Sequence, residues 1–392
     1  MAILLDYANV ITPEEVLQRA SVLVGDTGKI EYVGPMELTP AVDVPRVDLR
    51  NLYVAPGLID IHVHGGNGIT FGDPETLVED LRAYSKWVVK NGVTGFLTSI
   101  TASSPEELAS MISSFVSEFK KGLPGAQALG IHLEGPFMNL EKKGAQNPDW
   151  IRNPSLDEAK MLLDAGEGWI KQMTMAPELT EAYAVAGLFR GAGVPLAIGH
   201  SDADYDAAVR ALSSHWTHIT HTYNAQTGLH HRNPGIVGAV MNSDEITAEL
   251  IADLIHVHPG AMNVLVRCIG TNRVVLVTDA MEAAGLPDGE YHLLGARVTV
   301  SGGKATQEDG TIAGSSAVLN QCVRNMNKAV GVPLADAVKM ASLNPARVIG
   351  EAGKRGSIQV GKQADLVVID RDMNIQLTMV NGKVVFSNFQ AP

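Results

Sequence analysis

The sequence predicts an α/β fold, a (β/α)8 TIM-type barrel with a small β-sandwich domain formed from both chain termini. Three observations lead to this prediction. Between residues 58 and 279, eight short apolar runs alternate with amphipathic stretches, which is typical of the strands and helices of an α/β barrel. Both chain ends instead contain short apolar runs separated by turn residues. All 12 histidines lie between His62 and His292, so we expect the chemistry in the middle of the chain.

The chain ends are expected to form one β domain from residues 1–55 and 356–392. The strands predicted in the first part are residues 2–5, 21–24, 30–33 and 47–54. Those predicted in the last part are residues 364–370, 376–380 and 383–386. The final two flank Asn381 and Gly382, a dipeptide that two-residue hairpin turns favour. One domain built from both ends leaves residues 56–355 as an inserted barrel.

The barrel prediction rests on a regular alternation within residues 56–355. The predicted strands are residues 58–64, 94–100, 128–134, 170–176, 195–200, 216–221, 246–252 and 273–279. The predicted helices include residues 74–90, 105–121, 155–165, 178–191, 203–213, 259–269 and 315–329. A doubly wound open sheet is the alternative. It usually carries a glycine-rich phosphate loop after its first strand, and the sequence has no such motif there.

Composition excludes several classes of protein. The 392 residues carry a net charge of −13, which disfavours a nucleic-acid binder because such proteins need a basic surface. The two cysteines, Cys268 and Cys322, are too few for a disulfide framework, so we expect a reducing, cytoplasmic location. The N-terminus lacks the pattern of a signal peptide, and no apolar run approaches the length of a membrane span. We therefore expect neither nucleic-acid nor membrane partners.

Metal-ligating side chains fall repeatedly at the ends of the predicted barrel strands. They are His62, His64, Glu134, His200, His221 and Asp279. A barrel enzyme places its chemistry at the carboxyl ends of its strands, so we expect these six side chains at one rim. Imidazole and carboxylate ligands suit a divalent metal ion such as zinc or iron. The sequence therefore predicts a metal-dependent enzyme with one or two ions per subunit.

The remaining histidines are given other roles. His132 shares a strand face with Glu134, and we interpret it as a supporting or core residue rather than a ligand. Structural roles are predicted for His215, His218, His230, His258 and His292. Nothing in the sequence decides the role of His231.

Several motifs give the chain a resemblance to a known family. PGLIDIHVHG at 56–65, Asp279 and GKQADLVVID at 361–370 resemble the amidohydrolase superfamily. More specific segments include HLEGPF at 132–137, KKGAQNP at 142–148, GHSDA at 199–203, THTYNA at 220–225, HRNPG at 231–235 and GTIAGS at 310–315. In this order they are similar to the N-acetylglucosamine-6-phosphate deacetylase family. That family has a (β/α)8 barrel beside a small β-sandwich, which agrees with the fold predicted from the pattern alone.

The resemblance implies a reaction and roles for several residues. The substrate is an N-acetyl amino sugar 6-phosphate, which is hydrolysed to acetate and the free amino sugar phosphate. The family's metal positions correspond to Glu134, His200 and His221, and the pair His62 and His64 is used for a second ion in many members of the superfamily. The ion polarises the acetamide carbonyl and acidifies a water molecule. Asp279 acts as general base and then protonates the departing amine.

The resemblance also implies a set of substrate-binding residues. They are Ala145, Gln146, Asn224, Ala225, Arg232, His256, Ile312, Ala313, Gly314 and Ser315. Gln146 stands where some family members have histidine. Members of the family are commonly homodimers, and Arg232 is expected to reach a partner subunit's site. A phosphate group needs such local positive charge in a chain of net charge −13.

Three alternatives remain open from the sequence. The first is the same reaction on N-acetylgalactosamine 6-phosphate, since the two epimers differ at one hydroxyl group. The second is another amidohydrolase, such as a cyclic-amide hydrolase. Many of these use a bridging lysine at the end of strand four, which residues 173–176 lack, although Glu134 could bridge instead. The third is a binding or scaffold protein that has lost catalysis, which the retained ligands and Asp279 argue against.

Overall fold

The computed structural model describes residues 2–293 and 295–389. The strands are β1 Ile3–Ile11, β2 Val16–Val24, β3 Ile30–Pro35, β4 Arg46–Asp48, β5 Tyr53–Pro56, β6 Leu58–Asp60, β7 Gly65–Gly66, β8 Ile69–Thr70, β9 Val93–Thr101, β10 Gln127–Glu134, β11 Ile170–Thr174, β12 Leu196–Ile198, β13 Trp216–Ile219, β14 Thr247–Ile251, β15 Val274–Val277, β16 Gly289–Leu293, β17 Ala296–Ser301, β18 Lys304–Thr306, β19 Leu366–Ile369, β20 Ile375–Val380 and β21 Lys383–Ser387. The α-helices are α1 Leu77–Val88, α2 Pro105–Lys121, α3 Leu156–Gly166, α4 Ala182–Gly191, α5 Tyr205–Leu212, α6 Gly235–Met241, α7 Pro259–Ile269, α8 Leu319–Asn325, α9 Leu334–Met340 and α10 Leu343–Val348.

Eight parallel strands form the central barrel in the order β6-β9-β10-β11-β12-β13-β14-β15. The first and last strands meet beyond their ends, where Val63 pairs in parallel with Ala280. There the backbone N–H of Asp279 donates to the carbonyl of His62 at 2.9 Å. Each of the eight predicted strands overlaps one observed strand, so the predicted fold class is confirmed. Closure also brings the carboxyl ends of the first and eighth strands side by side.

The helices that follow the strands cover the barrel. Helices α2 and α7 begin and end where the sequence predicts them, because both start with proline directly after a capping residue. Ser104 caps α2 by accepting the backbone N–H of Glu107, and Gly122 ends it with a φ of 79°. Apolar side chains on the inner helix faces, such as Leu108, Ile112 and Phe115, are fully buried. They join the continuous core between the helices and the outer face of the sheet.

Strands from both chain ends form one mixed sheet, as the sequence predicts. Its order is β21-β20-β19-β5-β1-β2-β3, with β4 paired to β1. Leu5, Val22, Val54, Leu366 and Leu377 belong to its buried apolar cluster. Strand β5 ends at Pro56, next to the barrel strand β6, so the chain passes from sheet to barrel with one residue between them. The domain boundaries themselves stay a prediction.

Two β elements were not expected from the sequence, the short pair β7 and β8 and a three-stranded sheet after the barrel. Strands β16, β17 and β18 follow β15, precede the helix α8 and form an antiparallel sheet. Its buried residues Leu293, Val298 and Ala305 pack in one cluster with Met281 and Ala313. Leu293 also borders the cavity at the carboxyl end of the barrel. This insertion therefore builds part of the rim around the candidate site.

Among the helices of residues 2–293 and 295–389, none combines the length and apolar character needed to cross a bilayer.

Candidate metal centre

The predicted ligands lie at or just beyond the carboxyl ends of five barrel strands. Glu134 is the last residue of β10, and His200, His221 and Asp279 each follow the end of a strand by two residues. These last three have left-handed backbones, with φ of 48°, 25° and 49°. Such conformations in residues other than glycine cost about 1–3 kcal/mol each and cluster at functional sites. The sharp turns direct three side chains toward the barrel axis.

One glycine makes room for this arrangement. A Cβ atom on Gly199 would lie 2.7 Å from both Cγ2 of Thr174 and Cβ of Thr220. Only glycine fits between these neighbouring strands without displacing them. The tight approach fixes the chain directly before His200.

Glu134, His200 and His221 form the first group of candidate ligands. The Glu134 Oε1 atom lies 3.1 Å from His200 Nε2 and 3.2 Å from His221 Nε2. The two imidazole nitrogens are 3.1 Å apart. All three residues are buried, so two nitrogens and one carboxylate oxygen converge on one point away from bulk solvent.

His62, His64 and Asp279 form the second group. The Asp279 Oδ1 atom lies 3.2 Å from His64 Nε2 and 3.5 Å from His62 Nε2. Glu134 lies between the groups, since its Oε1 is 3.3 Å from His62 Nε2 and its Oε2 is 3.3 Å from His64 Nε2. The Glu134 carboxylate is therefore placed to contact ions in both groups. In the part of the chain that the structure describes, these are the two groups with ligand atoms within 4.8 Å of one another.

The donor set fits a divalent metal ion. His200 Nδ1 bonds to the carbonyl of Lys142 at 2.8 Å, which leaves Nε2 with its lone pair facing Glu134 and His221. The buried Nε2 of His62 has no hydrogen-bond partner among the described residues. Buried polar atoms are rarely left without a partner, and a cation satisfies converging lone pairs. Imidazole and carboxylate ligands of this kind suit zinc and iron.

Glu249 is a buried carboxylate beside the centre that the sequence analysis did not single out. Its Oε2 accepts a hydrogen bond from His62 Nδ1 at 2.9 Å and from the backbone N–H of His221 at 3.0 Å. Its Oε1 lies 2.6 Å from Gln172 Nε2 and 3.2 Å from His218 Nε2. The only sequence signal is a single acidic residue inside the apolar strand β14.

His132 does not face the ligand groups with a free nitrogen. Its Nδ1 lies 2.9 Å from Ser99 Oγ and its Nε2 lies 2.8 Å from Thr174 Oγ1. Burial, together with the charge of His62, lowers the pKa of His132 well below its usual range. The ring is therefore neutral, with both nitrogens used by hydroxyl groups. This agrees with its interpretation as a supporting residue.

Opposite charges set the ionisation of the centre. Burial raises the pKa of Glu134, but the charge of His62 and hydrogen bonds from His200 and His221 outweigh it and lower the pKa well below its usual range. Burial likewise opposes ionisation of Asp279, yet His62 and His64 lower its pKa. For His64, burial lowers the pKa, while hydrogen bonds with Asp279 and Glu134 raise it to about 9. Both carboxylates are therefore ionised near neutral pH, the form that binds cations and accepts protons.

A cavity of about 300 Å³ opens over the first ligand group. Residues predicted to bind substrate and found in its lining are Ala145, Gln146, Asn224, Ala225, His256, Ile312 and Gly314. A cavity of about 420 Å³ shares His64 and Thr101 with it, but Glu134 and Asp279 do not line that larger space. The smaller cavity is therefore the candidate substrate site.

Three predicted substrate-binding residues are not part of that lining. Ala313 is buried against Met281 and its neighbours. Ser315 is buried, and its backbone N–H donates to the carbonyl of Asp279 at 2.8 Å. Arg232 is exposed in the loop before α6, where its Nη1 lies 2.7 Å from His231 Nε2. The first two are buried behind the lining, and Arg232 is exposed and does not line this cavity.

Gln146 and His256 have defined partners at the cavity wall. Gln146 Nε2 donates to Glu134 Oε2 at 2.9 Å, and its Oε1 accepts the backbone N–H of Ala102. His256 Nδ1 bonds to Asp253 Oδ2 at 2.6 Å. Burial lowers the pKa of His256, but Asp253 outweighs it and raises the pKa above its usual value. Asp253 is a second functional candidate that the sequence analysis missed.

A closed α/β barrel with such a centre at the carboxyl ends of its strands defines a class of metal-dependent hydrolases. The amidohydrolase family model matches residues 53–385, which is most of the chain. The chain belongs to the amidohydrolase family, and within it to the N-acetylglucosamine-6-phosphate deacetylase family, whose members it resembles over nearly its full length.

Three individual relatives illustrate this similarity. The chain is 34% identical to the N-acetylglucosamine-6-phosphate deacetylase of Vibrio furnissii over 94% of this chain and 90% of that protein. It is 37% identical to the N-acetylgalactosamine-6-phosphate deacetylase of Escherichia coli O157:H7 over 84% of this chain and 87% of that protein. A solved variant of the Mycobacterium smegmatis N-acetyl-D-glucosamine-6-phosphate deacetylase, in complex with N-acetyl-D-glucosamine-6-phosphate, superimposes with a TM-score of 0.90. The two proteins are 32% identical, and the superposition covers 99% of each chain.

Proposed function

We propose that this protein hydrolyses the acetamide of N-acetylglucosamine 6-phosphate to acetate and glucosamine 6-phosphate in a metal-dependent reaction. The observation that carries the proposal is the convergence of Glu134, His200 and His221 beside Asp279 at the floor of a sugar-sized cavity. Relatives of that activity align along nearly the whole chain. A phosphorylated amino sugar as substrate also fits the cytoplasmic location predicted from the sequence.

We assign the metal to Glu134, His200 and His221, with His62, His64 and Asp279 available for a second ion. Zinc or iron fits these ligands, with one or two ions per subunit. When bound, a divalent ion polarises the acetamide carbonyl and acidifies water. The positions of both groups are fixed by strand ends, so the ligands need little rearrangement to bind.

Asp279 is assigned as the general base. Its carboxylate borders the cavity and is ionised, because His62 and His64 lower its pKa. It accepts a proton from water as the water oxygen adds to the carbonyl carbon. It then donates that proton to the amine nitrogen as the carbon–nitrogen bond breaks. The proton that Asp279 takes up is therefore the one that leaves with the amino sugar.

The polar wall opposite the floor is assigned to the sugar phosphate. His256 lines the cavity, and Asp253 raises its pKa, so at near-neutral pH it offers positive charge to an anionic group. Asn224 and the backbone of Ala225 lie beside His221 and provide hydrogen-bond donors. Arg232 lies outside the cavity, so we propose that it acts on the site of a second subunit in a homodimer.

A second candidate is the deacetylation of N-acetylgalactosamine 6-phosphate. It is supported by 37% identity to an N-acetylgalactosamine-6-phosphate deacetylase from Escherichia coli O157:H7. The two substrates differ in the orientation of one hydroxyl group, and the same groups would perform both reactions.

The direct test measures acetate release from both sugar phosphates by the purified protein, together with its metal content by elemental analysis. We expect release from N-acetylglucosamine 6-phosphate, and loss of release when a chelator removes the ion. A higher kcat/KM for the galacto epimer would favour the second candidate. No acetate from either sugar by metal-loaded protein would overturn both.

Replacing Asp279 with asparagine tests the base assignment. Asp279→Asn keeps the size of the side chain but removes the proton acceptor, so we expect kcat to fall by about 100-fold or more. The Glu134, His200 and His221 group is unchanged in this variant, so it should retain at least one ion by elemental analysis. Asp43→Asn, the same change at an exposed position far along the chain, is the control. Near-wild-type turnover of Asp279→Asn would exclude this role.

A further inference from the structure

Glu249 is a fully buried carboxylate in a strand where an apolar residue would be expected. It lies in the middle of β14, where both chain neighbours are buried apolar or small residues, and it has no exposed surface. Burying a carboxylate is unfavourable unless donors surround it, and an apolar residue of similar volume often gives equal or higher stability. Here four donors satisfy it, two on each oxygen. Stability alone therefore does not account for the carboxylate, and a role in the function of the protein does.

The Oε2 oxygen connects the two ligand groups. It accepts a hydrogen bond from His62 Nδ1 at 2.9 Å, and the backbone N–H of His221 donates to the same atom at 3.0 Å. His62 belongs to the second ligand group and His221 to the first. One atom therefore contacts a ligand side chain of one group and the backbone of a ligand of the other.

The bond to His62 decides which ring nitrogen carries hydrogen. A histidine that binds a metal ion is neutral, and with Nδ1–H donating to Glu249 the ring in that form presents its lone pair at Nε2. That Nε2 lies 3.3 Å from Glu134 Oε1 and 3.5 Å from Asp279 Oδ1 and has no hydrogen-bond partner in the described residues. With an amide in place of the carboxylate, one of the two oxygen positions becomes an N–H donor, and where that position faces His62 the buried Nδ1–H lacks an acceptor. The ring would then favour the other tautomer, in which hydrogen occupies the ligand position.

The Oε1 oxygen is held by two residues that do not line the cavity. Gln172 Nε2 donates to it at 2.6 Å and His218 Nε2 at 3.2 Å, and neither residue lines the candidate site. His218 Nδ1 lies 2.6 Å from Thr247 Oγ1, so its ring has a partner on both sides. These contacts fix the plane of the carboxylate and keep Oε2 directed at His62 and His221.

We propose that Glu249 is a positioning residue of the metal centre, which sets the tautomer of His62 and fixes the backbone at His221. It is not a ligand, because all its hydrogen-bonding capacity is used by the four donors. The proposal rests on the proposed function only in that the two groups bind metal. Groups that orient a ligating histidine contribute about 10–100-fold to metal affinity.

The test measures Zn²⁺ alone, without substrate. Wild type and Glu249→Gln are loaded with Zn²⁺, and their stoichiometry and affinity are measured by elemental analysis and by competition with a coloured chelator. We expect the affinity of the weaker-bound ion in Glu249→Gln to fall about 10–100-fold, or its stoichiometry to drop. Glu118→Gln is the matched control, since Glu118 is also buried but pairs with Arg82 and Lys121 far from the centre.

A double-mutant cycle with His62→Asn separates positioning from a general structural effect. If Glu249 acts through His62, Glu249→Gln should weaken Zn²⁺ binding much less in the His62→Asn background than in wild type. Equal effects in both backgrounds would reject the action through His62. If Glu249→Gln does not fold, Gln172→Met, which removes one donor to Oε1, should show a smaller loss in the same direction.

The results of this test can be distinguished from the results that test the proposed function. Unchanged Zn²⁺ affinity and stoichiometry in folded Glu249→Gln overturn the positioning role whether or not the wild type releases acetate. Wild type that binds Zn²⁺ but releases no acetate overturns the proposed function and leaves this inference to be decided by the variants. Wild type that binds no Zn²⁺ overturns the inference as well, since there is then no centre to position.

Discussion

The partner of the second ring nitrogen distinguishes His62 and His200 from His132. In His62 and His200 one nitrogen is bonded to a carboxylate or a backbone carbonyl, and the other points at Glu134. In His132 both nitrogens are used by hydroxyl groups. A ring of the first kind has a lone pair for a cation, and a ring of the second kind has none.

The pair Asp253 and His256 gives a pH-dependent prediction. The pKa of His256 is raised by Asp253 and that of Asp253 is lowered by His256, each against the effect of burial. For His256 this stabilisation is complete below its unfolded pKa of about 6.5 and is lost as pH rises through the raised folded value. For Asp253 it is present above an unfolded pKa of about 3.9 and is lost as pH falls through the lowered folded value. The pair therefore stabilises the fold most at mildly acidic pH.

We expect Asp253→Asn to lower the free energy of unfolding by about 2 kcal/mol at pH 5.5 and by clearly less at pH 8.5. Asparagine can still accept the backbone N–H groups of Ile255 and His256 that Asp253 Oδ1 accepts now, so the loop geometry is retained. Urea unfolding of both proteins with the same metal ion measures the difference, with exposed Asp43→Asn as the control. An equal loss at both pH values would contradict a charged pair.

The sequence alone predicts the candidate metal ligands better than it predicts the residues that support those ligands. The six predicted ligands share a visible signal, since each ends or follows an apolar run. Glu249 lies inside such a run, whereas Asp253 follows the end of β14 by two residues, the same spacing as three of the ligands, and was not singled out. The role of Glu249 depends on its contact with His62, which lies 187 residues away in the sequence. No local pattern reports contacts of that kind.

The two chain ends meet through a pair of glycines. Asn381 and Gly382 form the two-residue turn between β20 and β21, with φ of 49° and 76°, which are the positive values that a type I′ turn requires. The predicted hairpin is therefore confirmed. Gly28, in the turn before β3, has its Cα where a Cβ atom on Gly382 would approach to 2.3 Å. The N-terminal and C-terminal turns are in contact with no room for a side chain.

We expect Gly382→Ala to destabilise the protein by more than backbone strain alone. The positive φ costs about 1–2 kcal/mol, and forcing the two turns apart adds about 1–3 kcal/mol. Gly331→Ala is the matched control, because Gly331 has a φ of 83° and open space around the added Cβ. The midpoint of urea unfolding should fall more for Gly382→Ala than for Gly331→Ala. Equal shifts would show that the turns separate without cost.

Elements with a strong period were predicted, and inserted elements were not. The barrel strands and the helices α2 and α7 follow from alternation, capping residues and proline. The sheet of β16–β18 interrupts that alternation after the eighth strand, with partly exposed short strands. Helix α6 has only seven residues, all buried except Met241, so it has no amphipathic face to detect. Its burial comes from tertiary packing that a local window does not contain.

The charge of the whole molecule poses a problem for a phosphorylated substrate. A net charge of −13 repels a phosphate group, so binding needs local cations. Apart from the candidate metal ligands, the cavity offers His256 and Lys142, and Lys142 is already paired with Asp202 at 3.1 Å. Arg232 is exposed outside it. On our proposal that Arg232 serves the phosphate in the site of a second subunit, the assembly is part of the active site.

Arg232→Ala should therefore weaken the binding of the phosphorylated substrate more than that of the unphosphorylated sugar. We expect its KM for N-acetylglucosamine 6-phosphate to rise about 10–100-fold, as for a lost charge-assisted hydrogen bond. The residual turnover of unphosphorylated N-acetylglucosamine should change little. Steady-state kinetics on both sugars measure the difference, and equal losses on the two would argue against a phosphate role.

Mixing two defective chains tests whether Arg232 acts across the interface. In a dimer of one Asp279→Asn chain and one Arg232→Ala chain, action across the interface gives one site with both defects and one intact site. Action within a chain leaves a defect in both sites. Co-expression of the two variants should then restore about one quarter of wild-type activity at low substrate concentration, as expected for a statistical mixture of closed dimers. Each variant expressed alone is the control, and a co-expressed mixture no more active than their average would exclude a shared site.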